Sequence, residues 1–356
     1  MFPTHPDDIT PDWLTHALRK AEVITKSRVS SLKKHDLAKQ KAWLSSVVKI
    51  EVEYNFHEEN APDSYVLKML SPSEFRKSSY ELDAYEREIK FYREFSKSFP
   101  IKLPRLFYSE FGLESNLMLM EDLSYLEQGD QIAGINHQNV LKTLKSLAKV
   151  HGTYWGNSQL YRCDWIPSTN KIELDYAENW DSFVDLCGYF INSEGLKIGE
   201  KLAPRILWLF EEITSRPKTL VNDDMKADNL LFGGVDSEES VVIVDWQFAI
   251  RSLGAIDVAR LIGGSLTPGD RNGKQLEMFR HWYNELLEQV VRDYSREEAE
   301  NDLKLGALYC LIFPVHFHKG IVRAQGRALE YIKTLYSGIF SFAAEIEAES
   351  ALHNND

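Results

Sequence analysis

The chain has 356 residues, of which 44% are hydrophobic and 12% aromatic, and a formal net charge of −13. That much apolar material fills a large core, divided by length between two domains or lobes. The acidic balance argues against broad nucleic-acid or anionic-membrane binding, which requires a basic surface to displace counterions, and is compatible with a small-molecule partner.

No apolar run in the sequence reads as a membrane span, and the N-terminus "MFPTHPDDITPDWLTHALRK" lacks the basic start and apolar middle of a signal peptide, so the expected location is the cytoplasm. Cys163, Cys187 and Cys310 are odd in number and far apart, which suits a reducing compartment and matches no zinc spacing; they are expected to be core thiols.

In chain order, "DITPDWLTHALRKA" predicts a helix, with Thr10 as N-cap, Pro11 at the first helical position and Trp13, Leu14, Ala17 and Leu18 on one face. From Arg28 to Leu70 the segments "RVSSLKK", "LSSVVKIEVEYNF" and "SYVLKML" are short and β-branched, with "HEENAPD" as a polar turn, and predict three antiparallel strands. "SSYELDAYEREIKFYREFSKSF" repeats apolar residues at helical spacing, and "NLMLMEDL" predicts one more strand. Beyond Asp122 the pattern is mostly helical. It is broken by "NLLF" (229–232) and "VVIVD" (241–245), whose turn-rich link predicts a hairpin. The expected fold is α+β: a small antiparallel sheet with a helix over residues 1–121, then a larger, mostly helical part over residues 122–356.

The stretch "VNDDMKADNLLF" (221–232) crowds acids ahead of the hairpin, and Asp245 stands at its far end. Two short antiparallel strands return the chain to its start, so Asp245 is expected near Asp224 and Asn229. Carboxylate and amide oxygens gathered in this way suit a hard cation such as Mg2+, which binds carboxylates together with substrate phosphates. His151 is expected to be a packed core histidine, and Asp257 to cap the helix "VARLIGGS" and brace the loop.

Asp224, Lys226 and Asn229 stand as D-x-K-x-x-N, which resembles the catalytic loop of the protein-kinase-like fold, and "VDWQ" stands where that fold keeps a second metal-binding aspartate. With "MEDL" (120–123), "LAKVHGTYWG", "GAIDVARLIGGSL" and the opening "ITPDWLTHAL", the chain is similar to the aminoglycoside and choline phosphotransferases, and most to their ecdysteroid-kinase-like branch. The resemblance implies a two-lobed kinase-like fold that uses ATP and Mg2+ to phosphorylate a hydroxyl of a small molecule. Asp224 would be the base, Lys226 would lie near the transferred phosphate, and Asn229 and Asp245 would hold the metal. Lys68, held by Glu88, would pair the nucleotide phosphates. The backbone at Met120, Glu121 and Leu123 would receive the adenine.

Two departures from the family pattern bear on this. Asn222 and Asp223 stand where the family has His-Gly, and the turn "HDLAKQKAWLSSVV" has no glycine, leaving Ser45 and Ser46 as candidate phosphate contacts. They keep a non-catalytic, nucleotide-binding module as the alternative. Only eleven residues separate Asp245 from Asp257, too few for the activation loop of a protein kinase.

Overall fold

The computed structural model describes residues 3–37, 45–70, 79–112, 116–168, 175–234, 241–289 and 291–353. The chain forms two compact units, one comprising Met1–Phe99 and Leu103–Tyr125, the other Pro100–Lys102 and Leu126–Asp356. The architecture is α+β, as the sequence predicts.

The first unit begins with α1 (Pro11–Lys20), where the Thr10 hydroxyl accepts the Trp13 N–H and Pro11 opens the helix. Strands β1 (Val29–Asp36), β2 (Ser45–Tyr54) and β3 (Ser64–Leu70) follow, then α2 (Ser79–Phe95), β4 (Leu106–Phe111) and β5 (Asn116–Glu121). They form one antiparallel sheet in the order β1-β2-β3-β5-β4. Side chains alternate across it. Val48, Ile50, Val52, Tyr65, Leu67, Leu117 and Leu119 belong to one core with Leu14 and Leu18 of α1. The strand not expected from the sequence is β4. It is an edge strand in which only Tyr108 is buried, so the two-residue alternation that marks a half-buried strand is nearly absent.

The second unit contains β6 (Glu127–Gln128), α3 (His137–Tyr154), α4 (Tyr176–Cys187), α5 (Ser193–Leu202), α6 (Ile206–Ser215), β7 (Thr219–Val221), β8 (Leu230–Phe232), β9 (Val241–Ile243) and β10 (Ile250–Ser252). Helices α7 (Ala255–Ser265), α8 (Pro268–Arg271), α9 (Gln275–Glu288), α10 (Arg296–Cys310), α11 (Ile312–Phe317) and α12 (Gly326–Glu345) complete it. The expected hairpin is β8–β9, joined at its edge by β6, and β7 pairs with β10. These two- and three-residue strands carry too few positions to show a period.

Helix α7 is the centre of this unit, with every residue from Ala255 to Ser265 buried. A Cβ on Gly306 of α10 would lie 2.8 Å from the Ala255 carbonyl oxygen, so the close approach of α10 to α7 requires glycine there. The helical stretch Arg296–Val322 is long and apolar enough to cross a membrane by length and composition, contrary to the sequence reading, but 67% of its apolar window is buried within the fold, as in a core helix. Cys187 and Cys310 are core thiols as expected, whereas Cys163 is only half-buried.

Candidate active site

In the first unit, Lys68 lies mid-strand in β3 and Glu88 on α2, and the lysine Nζ meets Glu88 Oε1 at 2.8 Å and Oε2 at 2.7 Å. Tyr85, one turn earlier on α2, donates its hydroxyl to the Lys68 carbonyl at 2.8 Å, fixing strand against helix. Met120 and Glu121 end β5; Glu121 exchanges backbone and side-chain bonds with Arg105, and Leu123 is buried just beyond. Ser46 does not join Lys68. Opposite residues of paired strands share a face. The register Val47↔Lys68 therefore puts Ser46 on the other side, with Val48 and Ile50. The strand position of Ser45 is on the Lys68 side, but its side chain and the preceding turn (38–44) lie outside the described residues.

In the second unit the loop between β7 and β8 carries the remaining candidates. Lys226 Nζ meets Asp224 Oδ2 at 2.6 Å, and Asn229 Nδ2 donates to the same oxygen at 3.1 Å and to the Asp224 carbonyl at 2.9 Å. Asp245 stands past the end of β9 in the left-handed region (φ 62°). It is close enough to Asp224 to act on its proton affinity. Burial, and then the Asp245 charge, push the Asp224 carboxyl up, with Lys226 opposing. Burial disfavours the Lys226 ammonium, yet Asp224, Tyr331 and Asp245 together hold its pKa above the usual lysine range. The D-x-K-x-x-N residues and Asp245 are thus one cluster.

The profile of the ecdysteroid kinase-like family matches residues 39–155, and that of a family described as "Uncharacterized oxidoreductase dhs-27" matches residues 210–318. Residues 39–155 are thus similar to the ecdysteroid kinase-like family. A Plasmodium vivax ethanolamine kinase superposes with a TM-score of 0.54 at 14% identity, covering 88% of this chain and 81% of its own. A microcompartment-associated aminopropanol kinase gives 0.56 at 13% identity, covering 95% and 97%. The GDP and kanamycin complex of APH(2")-IIia gives 0.51 at 13%, covering 98% and 100%. No curated protein matches the chain in sequence. At these identities the solved structures speak to the fold. The residues matching the oxidoreductase-labelled family hold Asp224, Asn229, Asp245 and α7 here.

Against the kinase-like pattern, the two departures in the loop have structural explanations. Asn222, fully buried in the histidine's place, donates Nδ2 to the Asp245 carbonyl at 3.1 Å and accepts the Asp224 N–H at 3.0 Å, tying together the two ends of the hairpin. Asp223, in the glycine's place, adopts φ 61°, a conformation that aspartate tolerates better than most residues. Its carboxylate takes Arg260 at 3.3 Å and the Tyr309 hydroxyl at 3.1 Å.

Asp257 braces the loop but does not cap α7. It lies inside the first turn, after the Gly254 N-cap, and accepts the N–H groups of Asn222 at 2.8 Å and Asp223 at 2.9 Å. His151 completes the brace. The Trp282 indole donates to its Nδ1 at 3.1 Å, so the ring proton sits on Nε2, which faces Asp257 at 3.3 Å.

Sequence reasoning missed Gln131, Arg260 and Tyr331. Gln131 accepts the Ala227 N–H at 2.9 Å and donates to the Gly264 carbonyl, linking loop to α7 from a position 96 and 133 residues away in the chain, separations that leave no local signal. Tyr331 of α12 lies beside Lys226, its hydroxyl pushed up to about 12 by burial, with the ammonium drawing it down. Arg260 did have a signal. In the otherwise apolar "AIDVARLIGGS", charges three residues apart share one helix face and must find buried partners.

Proposed function

We propose that the protein is a small-molecule kinase that moves the γ-phosphoryl group of ATP to a hydroxyl of its substrate. The observation that carries this reading is the Asp224 carboxylate, buried and held between Lys226 at 2.6 Å and Asn229 at 3.1 Å, with Asp245 close by. Burial and the like charge of Asp245 strengthen it as a base. It orients the acceptor hydroxyl and takes its proton as the new O–P bond forms. Lys226 supplies positive charge beside the transferred group.

The donor set fits Mg2+. Two carboxylates press on one another, and with Nδ2 of Asn229 directed to Asp224, the amide oxygen is the atom left for a hard cation. Asp245 and Asn229 would hold the metal, which when bound neutralises phosphate charge. In the first unit, Lys68, kept in place by Glu88, would pair the phosphates, and the backbone from Met120 to Leu123 would receive the base. The charge of −13 supports a small molecule as the partner, with neither nucleic acid nor an anionic membrane, and a cytoplasmic setting agrees with the thiol usage.

The test is ADP formation from MgATP across a panel of hydroxyl compounds that includes ethanolamine, aminopropanol and kanamycin, the molecules named with the structural relatives. ADP released with one acceptor class, and lost in Asp224→Asn, is the expected result. MgATP binding with no turnover on any acceptor would favour the non-catalytic module instead.

A further inference from the structure

The sheet face that carries Lys68 carries a second lysine. The pairs Val47↔Lys68 and Lys49↔Val66 between β2 and β3, with Lys68↔Met118 and Val66↔Met120 between β3 and β5, put these six side chains on one side of the sheet. Lysine and valine alternate there over two neighbouring rungs, about 7 Å apart. The methionines are buried, whereas Val47 and Val66 are only half-covered, unlike Val48 and Leu67 on the opposite face. The result is an apolar floor with a cation at each of two corners.

The two lysines are held differently. Lys68 is committed to Glu88 on α2. Lys49 instead reaches along the sheet to the segment that follows β5, where Nζ donates to Asp122 Oδ2 at 3.0 Å and to the Ser124 hydroxyl at 3.1 Å, with its side chain 25% exposed. Asp122 is itself fixed by the Ser64 hydroxyl at 2.6 Å and the Ser124 N–H at 2.9 Å. Burial raises its pKa, but these bonds and the lysine outweigh it and hold the carboxyl at about 2. An ammonium has three donors, so one N–H of Lys49 remains for a ligand lying on the floor.

We propose that Lys49 is a nucleoside-positioning residue: strapped to Asp122 and Ser124, it fixes the segment after β5 and directs its third N–H at the base or ribose, while Lys68 serves the phosphates. This rests on the nucleotide site proposed above and divides it between two lysines by the part of the ligand each one reads. An apolar floor suits the face of a planar base, and a cation at its rim suits the lone-pair-bearing edge or a ribose oxygen.

Adenosine and MgATP distinguish the two roles, because only the second carries phosphates. Binding of each is measured by calorimetry to the full chain and to Lys49→Met, Lys49→Arg, Asp122→Asn and Lys68→Met, with circular dichroism confirming that each variant is folded. Lys49→Met is expected to weaken adenosine and MgATP alike, by about tenfold, the loss of one hydrogen bond to a charged donor. Lys49→Arg should retain most of the adenosine affinity, Asp122→Asn should weaken both ligands by a smaller factor, and Lys68→Met should weaken MgATP while leaving adenosine unchanged. Adenosine binding that is the same in Lys49→Met as in the wild type overturns the inference, whatever happens to MgATP. A wild-type chain that binds neither ligand overturns the nucleotide site as well, a result distinct from a wild type that binds and a Lys49→Met that binds equally.

Discussion

Lys68 and Arg260 are both cations buried against a carboxylate, yet their surroundings differ. Lys68 meets Glu88 on a sheet face whose valines are half-covered, and the pair joins one strand to one helix. Arg260 meets Asp223 from a helix in which every residue is buried, and the same loop is held by Asp257, Gln131, Asn222 and Tyr309. The difference follows from the energetics of buried charge. An ion pair near water can exchange its partner for solvent or ligand at modest cost, whereas a sealed pair cannot lose either member without stranding the other. A residue that must release one contact to grip a ligand belongs in the first setting, and one that must never move belongs in the second.

The sharpest way to break this contrast is to separate chemistry from support inside the loop. Asp224→Asn keeps the shape and the acceptor oxygen but loses the charge, and is expected to slow phosphoryl transfer by about a hundredfold to ten-thousandfold while MgATP binding persists, read by steady-state kinetics beside calorimetry.

Its neighbour is expected to act on stability. Arg260→Met leaves the Asp223 carboxylate sealed without its cation and should cost about 3–5 kcal/mol in urea unfolding. Lys68→Met, at a side chain 10% exposed beside half-covered valines against 4% for Arg260, should cost less, and equal losses at the two positions would remove the distinction drawn here. Asn222→Ala removes the bonds to the Asp245 carbonyl and the Asp224 N–H and should cost about 2 kcal/mol by the same measurement. If Asn222→Ala unfolded like the wild type, the asparagine would not be the brace that stands in for the family histidine.

Asp302 offers a smaller test, because its cation is farther away. It is fully buried, with the Tyr294 hydroxyl at 2.9 Å and Arg216 at 3.6 Å, and burial pushes its carboxyl up to about 6, the tyrosine and arginine opposing. An acid whose folded pKa exceeds its unfolded value of 3.8 binds its proton more tightly when folded. Its contribution to stability therefore falls as pH rises from about 4 through about 6 and is unfavourable above that. Asp302→Asn should accordingly stabilise the protein by about 2 kcal/mol near pH 7.5 and by little near pH 4, from unfolding midpoints at the two pH values. A variant equally or less stable at pH 7.5 would mean that Arg216 compensates the charge in full.

The sequence by itself determined which elements form where periodicity is strong, and which residue types gather at the loop. Thr10 and Pro11 announce α1, the β-branched runs announce β1 to β3, and the D-x-K-x-x-N spacing with a hairpin returning to Asp245 announces the cluster around Asp224. These are properties of short stretches, in which a cap, a period or a tight turn acts between residues near one another in the chain.

Tertiary structure decided the rest. Ser46 and Lys68 face apart because strand pairing sets the register, and no local pattern in either strand encodes it. Edge strand β4 and the two- and three-residue strands are held by partners, not by their own alternation. The fitness of Asn222 and Asp223 for places that the family gives to histidine and glycine depends on Asp257, Arg260 and Tyr309, which lie 34, 37 and 86 residues beyond Asp223. Whether a buried polar group is a defect or a brace is set by the donors and acceptors that packing brings to it, and these come from distant parts of the chain.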